Sequence, residues 1–146
     1  MGELLMPGVL LTPLKIIPLE TGDVMHGMTL HSPGFSGFGE AYFSWAQKGP
    51  VKGWKRHRQM VLNLVVPIGA IKFVLYDGRE EMPTYQQFFT VIMSPQNYQR
   101  LTIPPMIWNG FAGVGESHNM LLNLASIPHD PQEADRLDLH EIPYPW

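Results

Sequence analysis

Apolar and polar residues alternate along this chain in short runs, broken by glycine and proline, and the repeat is two rather than 3.6. Residues 37–46 show it best: Phe38, Glu40, Tyr42 and Ser44 share one side, Ala41, Phe43 and Trp45 the other. Residues 9–18 read as a first strand, confined by Pro13 and Pro18 to an edge or a bulge. Residues 20–35, with Gly22, Gly27, Pro33 and Gly34, read as an irregular loop, and residues 47–50 as a turn. Residues 52–57 set Lys52, Trp54 and Arg56 against Gly53, Lys55 and His57. Residues 60–66 and 70–76 flank a tight hairpin at Pro67-Ile68-Gly69, and residues 77–84 form an acidic exposed loop. Residues 85–93 are aromatic and β-branched, which favours a strand; residues 94–98 make a turn or one helical turn. Residues 100–104, 107–112 and 118–125 complete the set, the last with Asn119, Leu121, Asn123 and Ala125 on one face. From 128 to 146 the pattern dissolves into Pro, Asp and Glu. That tail is expected to lie irregularly over the surface or on a neighbouring subunit, with at most a short helix over 131–137 capped by Asp130, with Pro131 at its first position. Roughly nine strands and almost no helix predict an all-β barrel or jelly roll.

The 146 residues fit one domain, 1–146, large enough to remove roughly 70% of its unfolded surface from water. Only 16% of residues are charged against 45% hydrophobic, which points to an oligomer hiding part of its surface. A net charge of −3 argues against nucleic acid as a partner. With no cysteine, disulfides, thiolate catalysis and Cys-based metal sites are excluded, and a reducing cytoplasm is compatible. No apolar run reaches the roughly 18 residues of a membrane span. Residues 1–7 lack the basic start of a signal peptide, and Met6 stands where a myristoylation signal wants Ser or Thr.

The densest chemistry lies in residues 52–58, where Lys52, Lys55, Arg56 and Arg58 surround Trp54 and His57, just ahead of the almost uniformly apolar stretch 61–78. A basic cluster leading into a buried hairpin suggests an anion-binding pocket at a barrel mouth; a solvated edge strand is the alternative. The half-polar face of 37–46 has the same two readings, a polar pocket lining or a solvent face. On a regular strand Lys52 and Arg56 lie opposite His57, so a site using all three needs a bulge or a subunit seam.

Taken in order, Gly39-Glu40-Ala41-Tyr42-Phe43-Ser44, Val51-Lys52-Gly53-Trp54 through His57, residues 69–77, Ile103-Pro104-Pro105, Trp108-Asn109-Gly110-Phe111, Leu122-Asn123-Leu124-Ala125, Pro128-His129-Asp130-Pro131 and Glu141-Ile142-Pro143-Tyr144 resemble the cupin superfamily. More closely they resemble short members of its RmlC-like, dTDP-4-dehydrorhamnose 3,5-epimerase family. The resemblance covers about residues 37 to 146. It implies a jelly-roll homodimer that inverts a carbon beside the ketone of a nucleoside-diphosphate 4-keto-6-deoxy sugar, with neither metal nor organic cofactor, in surface-polysaccharide or deoxysugar synthesis. A base removes the acidic proton, the enolate spreads the charge, and a second group returns a proton on the other face.

The residue roles implied by the resemblance shift where this chain departs from the pattern. The family's Arg-Gly-x-His reads Lys52-Gly53-Trp54-Lys55 here, so Lys55 stands in the base's place, while His57 matches the second His of related ketoisomerases. His57 is then the expected base, Lys55 the group polarising the keto oxygen or holding a phosphate, and Tyr42 a proton donor. Lys52 and Arg56 are expected at the diphosphate, Glu40 and Asn109 as polar lining, and Trp108 as a stacking wall. Asn123, at the family's catalytic Tyr, is expected to hydrogen-bond the enolate oxygen. No equivalent of the Asp that orients the base is evident. A metal-dependent cupin is disfavoured, because one imidazole at the site is too few ligands. The competing function is a catalytically lapsed cupin that binds a sugar nucleotide or supports a partner protein.

Overall fold

The computed structural model describes residues 5–146, so the first four positions of the N-terminal reading lie outside the described residues. Twelve strands follow one another: β1 (Leu10–Pro13), β2 (Ile16–Ile17), β3 (Val24–Met25), β4 (Glu40–Trp45), β5 (Val51–His57), β6 (Leu62–Ile68), β7 (Ile71–Asp77), β8 (Phe88–Met93), β9 (Gln99–Ile103), β10 (Ile107–Gly113), β11 (Met120–Ala125) and β12 (Ala134–Arg136). The helical content among the described residues is one 3-10 turn, Leu139–Glu141. The nine expected strands are present. The additions are short pieces: the first strand breaks after Pro13, the loop contributes β3, and the tail contributes β12.

Two five-stranded antiparallel sheets carry the fold, in the orders β1-β9-β6-β11-β4 and β12-β5-β10-β7-β8, with β2 and β3 as a separate ribbon. Such a pair of sheets is a jelly roll, as the alternation predicts. Pro13 ends the edge strand β1, where its missing N–H leaves no gap in the ladder.

The sheets face each other across a core of Leu62, Leu64 and Val66 from β6, Leu101 and Ile103 from β9, Ile71, Phe73 and Leu75 from β7, and Met93, Ile107 and Leu121. Period-2 alternation puts these residues on inner faces. A second apolar layer lies on the outer face of the second sheet, where Trp54, Val74 and Trp108 are covered by Ile142, with Leu137, Tyr76 and Tyr144 packed around them. Trp146 adds its ring 5.6 Å from Trp54. The tail is therefore a strap built into the fold.

The expected helix over 131–137 is corrected by this arrangement. Asp130 does begin a turn, its Oδ1 accepting from the Gln132 N–H at 3.0 Å. The chain then extends because β12 pairs with β5, Ala134 with His57, Asp135 with Arg56 and Arg136 with Lys55. Ladder bonds and cross-strand charge outweigh a local capping preference.

Candidate functional site

The site is organised by an irregularity in β5. Lys55 pairs with Asn109 of β10, but Lys52 pairs with Phe111, so Gly53 and Trp54 together stand opposite Gly110. This two-against-one bulge turns Lys52 onto the face of Lys55, although three positions separate them. Glycines make the crossing possible: a Cβ on Gly53 would lie 3.1 Å from the Gly110 Cα, and a Cβ on Gly110 3.2 Å from the Lys52 carbonyl oxygen. The bulge that a shared site required is thus present, though it recruits only Lys52.

Lys52, Lys55, Asn109, Phe111 and Arg136 line one cavity of about 660 Å³, together with Leu137, Asp138 and Glu141 of the strap. Among the described residues, Lys55 and Arg136 make no side-chain ion pair, and Lys52 rests 5.8 Å over the Phe111 ring. Burial lowers the Lys55 ammonium from its ordinary range; the charge of Arg136 pushes the same way and Glu133 opposes it. Asn109 gives an amide N–H to the Lys55 carbonyl at 3.1 Å, which fixes its side chain against β5.

Next along the inner face is His57, 8% exposed. Its Nδ1 lies 2.6 Å from Glu133 Oε1, and the other carboxylate oxygen accepts the backbone N–H groups of Gln59 at 2.9 Å and Met60 at 2.8 Å. Burial pushes the Glu133 carboxyl up, but the bonds from His57 and from these two amides outweigh it and hold it down at about 2. Burial lowers the His57 imidazolium, against the pull of Glu133. At neutral pH the pair is therefore neutral imidazole beside carboxylate, with the proton on Nδ1 pointing at Glu133 and Nε2 left as a lone-pair base. The carboxylate that orients the imidazole was missed in the sequence, where Glu133 is one of five acids in a tail read as surface.

The facing sheet carries a second polar pair. Tyr42 on β4 stands in register with Asn123 on β11, whose Nδ2 donates to the Tyr42 hydroxyl at 3.0 Å. Asn123 Oδ1 is buried without a partner among the described residues. Burial raises the Tyr42 phenol above its ordinary value, and the nearby Glu40 charge adds to this. Leu121 and Ala125, flanking Asn123 on the same face, belong to the core between the sheets, so Tyr42, Asn123 and Glu40 also face inward.

Of the expected site residues, Lys52, Lys55 and Asn109 line the cavity; His57, Tyr42, Glu40 and Asn123 face inward outside its lining, and Arg56 and Trp108 lie on the other face. Arg56 and Trp108 pair across β5 and β10 on the outer face, where the guanidinium lies 4.6 Å over the indole and grips Asp135 through Nη2 at 2.7 Å and Nε at 3.0 Å. Regular alternation beyond the bulge keeps both on the side of the strap layer, away from the cavity. Neither forms part of its wall, which corrects the diphosphate contact expected of Arg56 and the stacking wall expected of Trp108. Among the described residues no group of three His, Asp or Glu side chains is gathered where it could hold a metal ion, and no helix is long and apolar enough to cross a membrane.

The chain is similar in fold and sequence to known proteins. The solved structure of a dTDP sugar isomerase from Desulfovibrio desulfuricans superposes with a TM-score of 0.92 at 43% identity, covering 99% of this chain and 95% of that one. A probable low-salt glycan biosynthesis epimerase of Haloferax volcanii, Agl13, is 32% identical over 105 residues, 71% of this chain and 65% of the relative. The spore coat polysaccharide biosynthesis protein SpsL of Bacillus subtilis is 27% identical over 109 residues, 75% of this chain and 69% of its own length. The chain thus spans about two thirds of the length of these curated relatives. A family model described as dTDP-4-dehydrorhamnose 3,5-epimerase matches residues 27–142, and with the jelly roll and its inward polar groups this makes the chain a member of the dTDP-4-dehydrorhamnose 3,5-epimerase family.

Proposed function

We propose that the protein is a cofactor-free epimerase or isomerase of a nucleoside-diphosphate 4-keto-6-deoxy sugar, serving surface-polysaccharide or deoxysugar synthesis. The observation that carries this reading is the His57–Glu133 pair. A buried imidazole whose Nδ1–H is committed to a carboxylate keeps Nε2 free as a base, one inward position from Lys55.

Nε2 takes the proton from the carbon beside the ketone. The electron pair of that C–H bond moves into the enolate, and Glu133 stabilises the imidazolium that results. Lys55 stabilises the oxyanion as an ammonium on the same wall, in a site where partial burial strengthens the attraction. Asn109, bonded to the Lys55 carbonyl, is a polar neighbour of that oxyanion. Tyr42 returns the proton from the facing sheet. Because Asn123 already donates to its oxygen, the phenolic hydrogen is free for the substrate. Two groups on opposite walls address opposite faces of a planar enolate, which inverts the carbon. Lys52 at the cavity mouth takes a phosphate, and Glu40 accepts a sugar hydroxyl beside Tyr42.

The same reading includes a homodimer. Strand β4 is an edge strand, and Phe43 and Trp45 on it are 64% and 54% exposed, with Phe38 at 67% just before it. An exposed apolar edge of this kind is normally covered. A nucleotide-sugar substrate places the enzyme in the cytoplasm, where such sugars are made.

The test is solvent exchange. With dTDP-4-keto-6-deoxyglucose in heavy water, deuterium enters at a carbon flanking the ketone, and His57→Asn abolishes the entry. A ligand-induced thermal shift with no deuterium above the spontaneous rate would replace this reading with that of a lapsed, sugar-nucleotide-binding cupin.

A further inference from the structure

Strands β5 and β12 treat charge differently on their two faces. On the outer face Arg56 stands opposite Asp135 and the two form an ion pair. One position along, on the inner face, Lys55 stands opposite Arg136, cation against cation, and neither has a carboxylate partner among the described residues. Like charges directly opposite each other destabilise a strand pair. Their repulsion already acts on Lys55, whose ammonium is lowered by burial and by Arg136. Both line the 660 Å³ cavity with Lys52, so three cations converge there.

The strap that brings Arg136 has anchors on both sides of it. Glu133 is bonded to His57, and Leu137 exchanges backbone bonds with Trp54 at 3.0 and 3.1 Å. The Trp54 indole N–H holds the Leu139 carbonyl at 3.2 Å, and Ile142 is buried in the outer layer. Arg136 itself is exposed at the cavity rim. The strap carries acids to the same rim, Asp138 and Glu141, with Glu141 Oε2 accepting the Asp138 N–H at 2.6 Å. The rim therefore has a cationic side suited to phosphate oxygens and an acidic side suited to hydroxyl groups.

We infer that Arg136 is a substrate-binding residue: with Lys52 it clamps the diphosphate, and by offsetting the Lys55–Arg136 repulsion the bound anion locks the C-terminal strap against β5. The inference deepens the nucleotide-sugar reading of the cavity and rests on it. It gives the strap a part in ligand affinity and moves to Arg136 the phosphate contact that Arg56 does not make. A forked guanidinium suits a diphosphate better than a lysine, because two parallel N–H groups meet two oxygens.

The experiment measures binding of dTDP and of inorganic pyrophosphate by calorimetry, together with backbone amide exchange over residues 134–141, in the wild type, Arg136→Gln and Arg136→Lys. The clamp predicts that Arg136→Gln weakens dTDP about 10-fold or more, that Arg136→Lys falls between, and that dTDP slows strap exchange in the wild type and not in Arg136→Gln. It also predicts that Arg136→Gln unfolds at the same temperature as the wild type or higher, since a repulsion is removed, whereas an arginine with a merely structural role would lower it. Unchanged dTDP affinity in Arg136→Gln, or strap exchange indifferent to dTDP, overturns the clamp and leaves the enzyme reading intact. Pyrophosphate binding that depends on Arg136, without any dTDP binding, keeps the clamp and removes the nucleotide reading. Binding of neither removes both.

Discussion

His57 and Glu133 meet at 2.6 Å, Nδ1 to Oε1, with side chains 9% and 4% exposed. Strand β5 supplies the imidazole and the turn before β12 supplies the carboxylate, 76 residues later. Glu133 is a positioning residue: it acts through His57, selecting the tautomer and stabilising the imidazolium. Replacing it by Gln keeps an oxygen for the Gln59 and Met60 amides, so the fold survives with a loss of about 1–3 kcal/mol. Turnover should fall about 100-fold. The diagnostic readout is the pH profile. Without the carboxylate the imidazolium is less stable, so the acid limb of the rate profile moves to lower pH while the plateau drops. A loss of turnover with an unmoved acid limb would assign Glu133 a structural role only.

The same pair sets the acid stability. The Glu133 carboxyl is held at about 2 against an ordinary 4.5. A carboxyl lowered in the folded state contributes stability above its unfolded value and loses it as pH falls through the folded one. The contribution is about 3 kcal/mol, present above pH 4.5 and lost towards pH 2. His57, lowered by burial, works in the same direction: the unfolded chain takes up its proton first, so its share starts to be lost as pH falls below 6.5. Urea unfolding at pH 7, 4.5 and 2.5 checks this. Between pH 4.5 and 2.5 the wild type should lose most of those 3 kcal/mol beyond what Glu133→Gln loses.

Much of the fold was legible because a two-residue repeat needs only local pattern. Gly37–Ala46 and residues 118–125 alternate cleanly, and they contain strands β4 and β11, whose residues divide between two faces as the alternation predicts. The site was less legible, for three physical reasons. The bulge at Gly53 and Trp54 reverses the face of Lys52, and its one local sign, a glycine inside the strand, does not say which residues change face. Glu133 lies in a stretch whose local signals, Asp130 and Pro131, favour a helix start, and only the pairing with β5 overrides them. Trp108 resembles a pocket wall until Ile142 and Tyr144 fold back over it, which turns the outer face into a second apolar layer.

Arg56 and Asp135 test the face assignment directly. Their side chains are 25% and 30% exposed, so the ion pair contributes little, on the order of 0.5–1 kcal/mol in a double-mutant cycle. Arg56→Ala should cost somewhat more than Asp135→Ala, because it also removes the cation from the Trp108 ring. Neither variant should change dTDP affinity by more than about twofold. A tenfold loss in Arg56→Ala would return this residue to the phosphate site.

The exposed edge at β4 gives a solution-state prediction. Phe43 points away from the interior, opposite in direction to Tyr42, and pairs with Leu122 on the same outer face. A charge there is harmless to a monomer and damaging to an interface. Phe43→Asp should leave the circular dichroism spectrum intact while halving the mass measured by light scattering. A wild type that is monomeric at high micromolar concentration would remove the dimer.

Tyr42 separates two events that the wild type performs together. His57 alone suffices to remove a proton and return a deuteron to the same face, which exchanges the carbon without inverting it. Inversion needs a donor on the other wall, and the Tyr42 hydroxyl, fixed by Asn123 at 3.0 Å, is the candidate there. Phenylalanine preserves the ring and removes the hydroxyl, and with it both the transferable proton and the oxygen that accepts from Asn123. In heavy water Tyr42→Phe should therefore still label the carbon beside the ketone at a rate within about tenfold of the wild type, while formation of the inverted sugar falls about 100-fold or more. Asn123→Ala, which frees the hydroxyl to rotate, should lower inversion less, about tenfold. Equal loss of labelling and inversion in Tyr42→Phe would show that Tyr42 acts before proton abstraction, in binding, and the donor would have to be sought among water or other groups on the β4 wall.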